Sequence, residues 1–270
     1  MLTEFLKLEW PSKLAGGDAC APGSKHARIT LNRPEKQNAL SAEMFEAFNE
    51  YLNDLENDEN LRAMIITGAG DRAFCSGTDI SELHDGIDGS SISQRGQALC
   101  NRIENFPVPV IAAINGIAAG GGLELALACH MRIASTTAVF SLPESKLSLI
   151  PGYGGTQRLS REVGVGRAVE IMLTGRSLTS DEALACGLVN RVVPLVELPS
   201  AVAELLEQIE QLSPLSIRSC LQAVTQGLQL PLEEGLRLET TLFAALFDTD
   251  DAREGTTAFL EKRVPVFKGR

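Results

Sequence analysis

The chain has 270 residues, of which 44% are hydrophobic and 22% are charged, and its formal net charge is −11. These proportions are typical of a folded globular protein with a large core, so they exclude extended disorder. An acidic surface repels a polyanion, and no basic patch along the chain is large enough to offset that repulsion. The charge therefore argues against a nucleic-acid partner.

The cysteines and histidines exclude two further classes of protein. Six cysteines are scattered without any C-x-x-C pair, which favours reduced thiols over a disulfide framework. The three histidines have no metal-ligand spacing with a second histidine or a cysteine, so we expect no metal site. The N-terminus MLTEFLKLEW alternates like a strand and lacks the features of a signal peptide. We therefore expect a cytoplasmic protein.

Alternating β-like and helical stretches in the first half predict an α/β domain built of repeated strand and helix units. We predict an N-terminal strand, a loop over 11–25, a strand over 27–32, a helix opened by Ser41, strands over 63–67 and up to Gly77, a mobile loop over 84–93, a helix, and a strand over 108–114. The second half predicts helices over 155–162, 168–173, 180–186, 198–212, 214–227, 232–248 and 251–262. We expect a core domain over 1–195 and a helical region over 196–270.

The apolar run over 110–129 is about 20 residues long, the length of a membrane-spanning helix. Two prolines precede it and three consecutive glycines interrupt it. Glu124 would carry a charge into hydrocarbon at a cost of several kcal/mol. We therefore expect a buried strand, a loop and a helix in this run, and no membrane partner.

Gly120, Gly121 and Gly122 lie between that strand and that helix. Glycine lets the backbone approach a ligand closely, and the unpaired N–H groups of a first helical turn suit an oxygen that becomes anionic. Glu124 is the only charged residue between Glu104 and His130, so desolvation should raise its pKa. For an isolated glutamate, a structural role at the helix start is the alternative.

Two later features are ambiguous when each is considered alone. Glu144 follows Pro143 in an apolar segment, where a structural salt bridge is the ordinary interpretation. The turn from Gly152 to Gly155 is either plain turn chemistry or a second wall of a site lined by backbone groups.

Four segments together resemble, in order, the signatures of the crotonase superfamily, and most closely those of enoyl-CoA hydratases. They are LNRPEKQNALS (31–41), AFCSGTDI (73–80), NGIAAGGGLELALACHMRIA (115–134) and FSLPESKLSLIPGYGGTQRL (140–159). Their joint occurrence makes the resemblance specific, and it extends over roughly residues 27–268. It implies a crotonase-like spiral of repeated β-β-α units, a C-terminal helical trimerisation region, and a homotrimer or homohexamer.

The resemblance also implies roles for particular residues. Backbone N–H groups of Ser76 and Gly121 would form an oxyanion hole, Glu124 and Glu144 would hold a water molecule, and the Gly152 backbone would line the water site. Coenzyme A, as part of the substrate and not as a separate cofactor, would lie along Arg33, Lys36, Asn38, Ala39, Ser76, Gly77, Asp79 and Ile80, with Lys268 reaching the ribose phosphate, often across a subunit boundary. The 84–93 stretch and Tyr153 would shape the acyl pocket. The family often has Ala at the positions of Ser76 and Thr78.

Because both glutamates are present, the resemblance favours reversible addition of water to a 2-enoyl-CoA, which gives a 3-hydroxyacyl-CoA. Double-bond isomerisation, which needs one carboxylate, is the alternative within the family. A non-catalytic scaffold or RNA-binding role is disfavoured by the net charge of −11. The acyl group depends on the shape of a pocket that the sequence pattern does not define.

Overall fold

The computed structural model describes residues 4–10, 25–82 and 88–270, with the backbone alone at Glu82. The strands in these ranges are β1 (Leu6–Glu9), β2 (His26–Leu31), β3 (Ala63–Gly68), β4 (Ala73–Cys75), β5 (Val110–Ile114), β6 (Ile117–Ala119), β7 (Met131–Ser135), β8 (Val139–Ser141), β9 (Leu178–Thr179) and β10 (Arg191–Val193). The helices are α1 (Ala42–Glu56), α2 (Gly89–Glu104), α3 (Gly121–Ala128), α4 (Gly155–Val163), α5 (Val165–Thr174), α6 (Ser180–Ala185), α7 (Leu198–Glu210), α8 (Pro214–Gly227), α9 (Leu232–Phe247) and α10 (Asp250–Glu261).

The strands form two sheets, as expected for an α/β fold. The order is β1-β2-β3-β5-β7-β10 in the six-stranded sheet and β4-β6-β8-β9 in the four-stranded sheet. All neighbours in the larger sheet are parallel except β1 and β2, and in the smaller sheet only β8 and β9 are antiparallel. Consecutive strands thus alternate between the sheets from β3 to β8, which confirms the predicted spiral of repeated units.

Both faces of the larger sheet are buried, because side chains alternate along each strand. Met64 and Ile66 of β3 belong to the main core with α1, α2 and α3. Their neighbours Ala63 and Ile65 belong to a second core cluster with α7. The continuous apolar run of a doubly buried strand therefore made β3 easy to predict.

Most of the predicted elements are confirmed, and local chemistry accounts for one that is not. Ser41 caps α1, since its side chain accepts a hydrogen bond from the backbone of Met44. The predicted loop over 84–93 is wrong for 89–93, which lie in α2. Asp88 caps that helix by accepting bonds from the N–H groups of Ser90 and Ser91 at 3.2 and 3.0 Å. The predicted loop over 11–25 falls almost wholly outside the described residues.

The apolar run over 110–129 folds as β5, β6 and α3, so it does not form one long helix. In the described part of the chain, no helix is long and apolar enough to cross a membrane. The run instead brings β6 to the centre of the smaller sheet, where its C-terminal end leads directly into the three glycines and α3.

Candidate active site

The junction between β6 and α3 is possible only because of its glycines. Gly120 has φ 51° and ψ −130°, a backbone conformation that side chains disfavour. A Cβ atom at Gly122 would lie 2.1 Å from the carbonyl oxygen of Cys75 in β4. The first turn of α3 therefore packs directly against the end of β4.

Two backbone N–H groups meet at this contact. Gly77, with φ 110°, turns the chain after β4, and a Cβ atom there would lie 3.4 Å from the nitrogen of Gly121. The carbonyl of Gly77 and the N–H of Asp79 both bond to Leu40, so the intervening N–H of Thr78 is not used in that pairing. Within the described ranges, the N–H groups of Thr78 and Gly121 have no acceptor.

The oxyanion role predicted for Ser76 needs correction on this point. The N–H of Ser76 donates to the carbonyl of Gln37 at 3.0 Å, so it is not free to bind a substrate oxygen. Thr78, two residues further along, offers the free N–H beside Gly121. The family resemblance pointed to the right segment, but it did not specify which amide of that segment remains free.

Glu124 lies in the first turn of α3 and is almost fully buried, with 2% of its surface exposed. Its Oε1 accepts hydrogen bonds from the N–H groups of Tyr153 at 2.7 Å and Gly155 at 2.6 Å. Burial raises the pKa of Glu124 to about 7. The hydrogen bond from Gly155 lowers this pKa, and the negative charge of Glu144 raises it. The expected rise in pKa is therefore present.

Glu144 begins a 3-10 helix after β8 and is half-buried. Its Oε2 is buried and has no hydrogen-bond partner within the described chain, and no ion pair joins it to a described cation. Burial raises its pKa. A Cβ atom at Gly120 would lie 3.3 Å from its Oε1, so this carboxylate reaches the same junction that carries Gly121. The structural salt bridge considered for Glu144 is thus not found.

The turn before α4 forms the opposite wall of the site. Besides the two N–H groups that hold Glu124, the Gly152 carbonyl accepts bonds from Ser93 and Gln97 of α2 at 2.6 and 3.1 Å. The Gly152 N–H has no acceptor in the parts of the chain that are described. The N–H groups of Tyr153 and Gly155 were not predicted as functional, although the Gly152–Gly155 turn marked their segment.

Tyr153 links this wall to the free amides. Its hydroxyl accepts a hydrogen bond from the Thr78 side chain at 2.8 Å, and its ring meets Phe45 edge-on with centroids 5.8 Å apart. Cβ atoms at Gly96 and Gly121 would lie 1.9 and 2.8 Å from ring atoms. The ring is therefore fixed between α1, α2 and α3, beside the position where a substrate carbonyl would bind.

The residues predicted to contact coenzyme A fall into two groups. Arg33 donates to Asp79 at 2.8 Å and to the carbonyl of Ala39 at 2.8 Å, so these three residues lie together, near exposed Lys36 and Ile80. Asn38, in contrast, is fully buried and bonds Ala69 and Ala73. Its side chain supports the loop and does not reach a ligand, which corrects its predicted role.

Lys268 is not brought to this group by any described contact. Its N–H donates to Asp251 at 2.7 Å, which fixes the C-terminal segment at the start of α10. Its side chain is exposed. A role near the ribose phosphate therefore stays a prediction for an assembly of several subunits.

Comparison with known proteins agrees with this geometry. The family model for enoyl-CoA hydratase/isomerase matches residues 24–270. A short-chain-enoyl-CoA hydratase of Clostridium acetobutylicum is 41% identical over 249 residues, which are 91% of this chain and 95% of that protein. An (E)-benzylidenesuccinyl-CoA hydratase of Thauera aromatica is 40% identical over 249 residues, 90% of this chain and 95% of that protein.

A crystal structure of an enoyl-CoA hydratase from Bacillus anthracis superposes with a TM-score of 0.87 at 41% identity, covering 91% of this chain and 96% of that one. The amides of Thr78 and Gly121 and the carboxylates of Glu124 and Glu144 lie on the segments that carry the resemblance. The chain belongs to the enoyl-CoA hydratase/isomerase family.

Proposed function

We propose that the chain adds water reversibly across the 2,3 double bond of a 2-enoyl-CoA. The observation that carries this proposal is a pair of carboxylates at one glycine junction, buried Glu124 and half-buried Glu144, each with a raised pKa. Hydration needs one group that accepts a proton from water and another that donates a proton to carbon, and this pair supplies both.

The first step binds the thioester carbonyl. We infer that its oxygen accepts hydrogen bonds from the N–H groups of Thr78 and Gly121, which are otherwise unused among the described residues. These fixed donors draw electron density from the double bond, so that C3 becomes electrophilic and the negative charge develops on the carbonyl oxygen. Loss of one such donor typically slows a reaction by about 100-fold or more.

The second step adds the elements of water. Water bound between the two carboxylates loses a proton to one of them as its oxygen bonds to C3. The other carboxyl group supplies the proton that bonds to C2, and the carbonyl re-forms as the enolate charge returns to carbon. The N–H of Gly152 and Oε2 of Glu144, which have no partner among the described residues, are suited to hold that water. The chemistry requires no cofactor besides the coenzyme A of the substrate.

Isomerisation of the double bond is the second candidate, because one carboxylate can carry a proton between two carbons. Two observations favour hydration. Glu144 has an unpaired buried oxygen, and Glu124 keeps one carboxylate oxygen that bonds no described N–H group. An isomerase needs no site for water between them.

The test compares the Glu124→Gln and Glu144→Gln variants with wild type on crotonyl-CoA, with product mass as the readout. We expect wild type to give a product heavier by about 18 daltons, the mass of water, and each variant to lose about 100-fold or more in kcat. The exposed carboxylate of Glu207 in α7 provides the control Glu207→Gln, which should keep full activity. Unchanged turnover in both variants, or a mass-neutral product, would refute the proposal.

We propose that the coenzyme part binds over the Arg33, Ala39 and Asp79 group. The Arg33 guanidinium is already paired with Asp79, so exposed Lys36 is the better cation for a phosphate. Calorimetry with free coenzyme A should show weaker binding for Lys36→Gln. The exposed Lys7→Gln variant in β1 is a matched control.

We propose a homotrimer or homohexamer formed through the C-terminal helices. α8 and α9 bury none of their own residues, and large apolar side chains are exposed on this region, namely Leu232, Leu236, Phe243, Phe247, Phe259 and Leu260. A soluble chain rarely leaves such a surface uncovered. Light scattering after size exclusion should give a mass of three or six chains.

A further inference from the structure

Among the residues that the structure describes, Arg95 has no ion-pair partner, and it lies at the wall of the site formed by α2 and Tyr153. Arg95 is in the first half of α2, and its guanidinium carbon lies 4.6 Å above the centroid of the Phe45 ring. Its Nε is buried and has no hydrogen-bond partner, and no described carboxylate is within ion-pair distance. The chain has more acidic than basic residues, 35 against 24, so a half-buried arginine that pairs with no described carboxylate is unexpected.

This part of α2 borders the Gly152–Gly155 turn, whose backbone holds Glu124. Ser93, two residues before Arg95, donates to the carbonyl of Gly152 at 2.6 Å. Gly96, the next residue, lies directly against the ring of Tyr153. Arg95 and Tyr153 therefore contact the same Phe45 ring at the same wall of the site.

Tyr153 adds a second donor. The Thr78 hydroxyl donates to the oxygen of Tyr153, so the phenolic proton is left without an acceptor in the described parts of the chain. Burial raises the pKa of Tyr153, while the Thr78 bond and the nearby charge of Arg95 act in the opposite direction. The phenol thus stays protonated and can donate a hydrogen bond next to the guanidinium.

We propose that Arg95 and the Tyr153 hydroxyl bind a carboxylate at the far end of the acyl group, so the preferred substrates are 2-enoyl-CoA thioesters of dicarboxylic acids. This inference rests on the proposed hydratase function and adds the substrate class. The planar guanidinium matches a carboxylate, and stacking on Phe45 holds it in place before the ligand arrives. The terminal guanidinium nitrogens of Arg95 are not among the buried unpaired atoms, so a substrate carboxylate can reach them and form charge-assisted hydrogen bonds.

The first experiment measures binding without turnover. Glutaryl-CoA carries a terminal carboxylate, and hexanoyl-CoA is a neutral thioester of similar length; neither has a double bond to hydrate. Calorimetry should show that wild type binds glutaryl-CoA at least about 10-fold more tightly, since a charge-assisted hydrogen bond supplies about a 10- to 100-fold gain. Arg95→Gln should lose that preference, and Arg95→Lys should keep part of it.

Two further variants separate recognition from structure. Arg102→Gln removes a positive charge from the same helix, but Arg102 pairs with Glu56 at 3.0 Å and should leave the preference intact. Tyr153→Phe should reduce the preference several-fold. The inference is overturned if wild type binds the two thioesters equally, or if Arg95→Gln weakens both by the same factor, which would mark a structural role.

The second experiment compares hydration of glutaconyl-CoA, 2-hexenoyl-CoA and crotonyl-CoA. Higher kcat/KM for glutaconyl-CoA, reduced selectively in Arg95→Gln, supports the inference. Hydration of the two neutral thioesters with no preference for glutaconyl-CoA overturns this inference alone. Hydration of none of the three, together with a retained preference for glutaryl-CoA in binding, overturns the hydratase proposal and leaves the carboxylate site standing.

Discussion

The N–H of Gly155 donates to Oε1 of Glu124 at 2.6 Å, so the first turn of α4 holds the carboxylate of α3 in place. This close approach requires a glycine, because a Cβ atom at residue 155 would lie 2.9 Å from both Cγ and Oε1 of Glu124. The position of the carboxylate therefore depends on a residue with no functional side chain.

Gly155→Ala should displace the Glu124 carboxylate and lower kcat for hydration by about 100-fold, the effect of a misplacement near 1 Å. The matched control is Gly166→Ala in α5, where an added Cβ atom meets nothing within 4 Å. Steady-state kinetics on crotonyl-CoA checks both variants. Equal kcat values for the two would show that Glu124 tolerates the shift.

The raised pKa of Glu124 makes stability depend on pH. Its pKa is about 7 in the folded chain against 4.5 ordinarily, so between these values the folded state binds more protons than the unfolded state. Its contribution is full below pH 4.5 and is lost as the pH rises through 7. Each pKa unit corresponds to about 1.4 kcal/mol of unfolding free energy.

Urea unfolding at pH 5 and pH 8 checks this relation. On raising the pH, wild type should lose about 2 kcal/mol more of its unfolding free energy than Glu124→Gln. The comparison with the variant removes the contribution of titrating groups that do not interact with Glu124, while Glu144, whose charge acts on Glu124, contributes to the difference. Parallel pH profiles for the two proteins would contradict the pKa assigned to Glu124.

The choice between Thr78 and Ser76 as an oxyanion donor can be observed directly. In a crystal structure with a bound acyl-CoA thioester, the carbonyl oxygen should lie about 2.7–3.1 Å from the nitrogens of Thr78 and Gly121. The Ser76 nitrogen should keep its bond to the Gln37 carbonyl, now 3.0 Å long. A carbonyl oxygen bonded to the Ser76 nitrogen would identify Ser76, and not Thr78, as the donor.

The buried side chain of Arg132 bonds the backbone at the C-terminal end of α3. Arg132 donates to the carbonyls of Leu188 and Cys129 at 2.7 Å each and to Glu162 at 2.9 Å, with 5% of its side chain exposed. Arg132→Met should lower the unfolding free energy by about 3 kcal/mol, because buried carbonyls lose their donors.

The exposed Arg191, paired with Glu204 at 3.0 Å, gives the control. Arg191→Met should cost about 1 kcal/mol or less, as surface ion pairs do. Denaturant titrations measure both values. A loss of similar size in the two variants would mean that the Arg132 bonds contribute no more than a surface pair.

Much of the fold could be predicted, because local chemistry decides it. Doubly buried strands such as β3 appear as apolar runs, and Ser41 marks a helix start by a side chain that caps the helix. The cap of α2 by Asp88 is also a local feature, but the glycines around it favour a turn, so the sequence pattern predicts a loop there. Boundaries late in the chain agreed closely, since α8 begins at Pro214 and ends at Gly227 as predicted.

The order of the motifs was enough to predict which residues are candidates for the site. It was not enough to predict which backbone amides remain free, because distant backbone groups determine that. Glu124, Glu144 and Gly121 follow from their segments. Whether Ser76 or Thr78 has a free amide depends on the carbonyl of Gln37, almost forty residues earlier. Whether a described carboxylate pairs with Arg95 likewise depends on which residues the fold brings near it, and no local sequence pattern predicts that.

Tyr153 engages the site twice, through its backbone amide to Glu124 and through its side chain to Thr78. The hydrogen bond from the backbone amide does not use the side chain, whereas the ring packs against Phe45 and the hydroxyl bonds Thr78. The backbone of Tyr153 thus positions Glu124, while its side chain is the part that we propose contacts the substrate. Under the proposed function, the acyl preference can therefore change through this side chain, in nature or by design, without moving the Glu124 carboxylate.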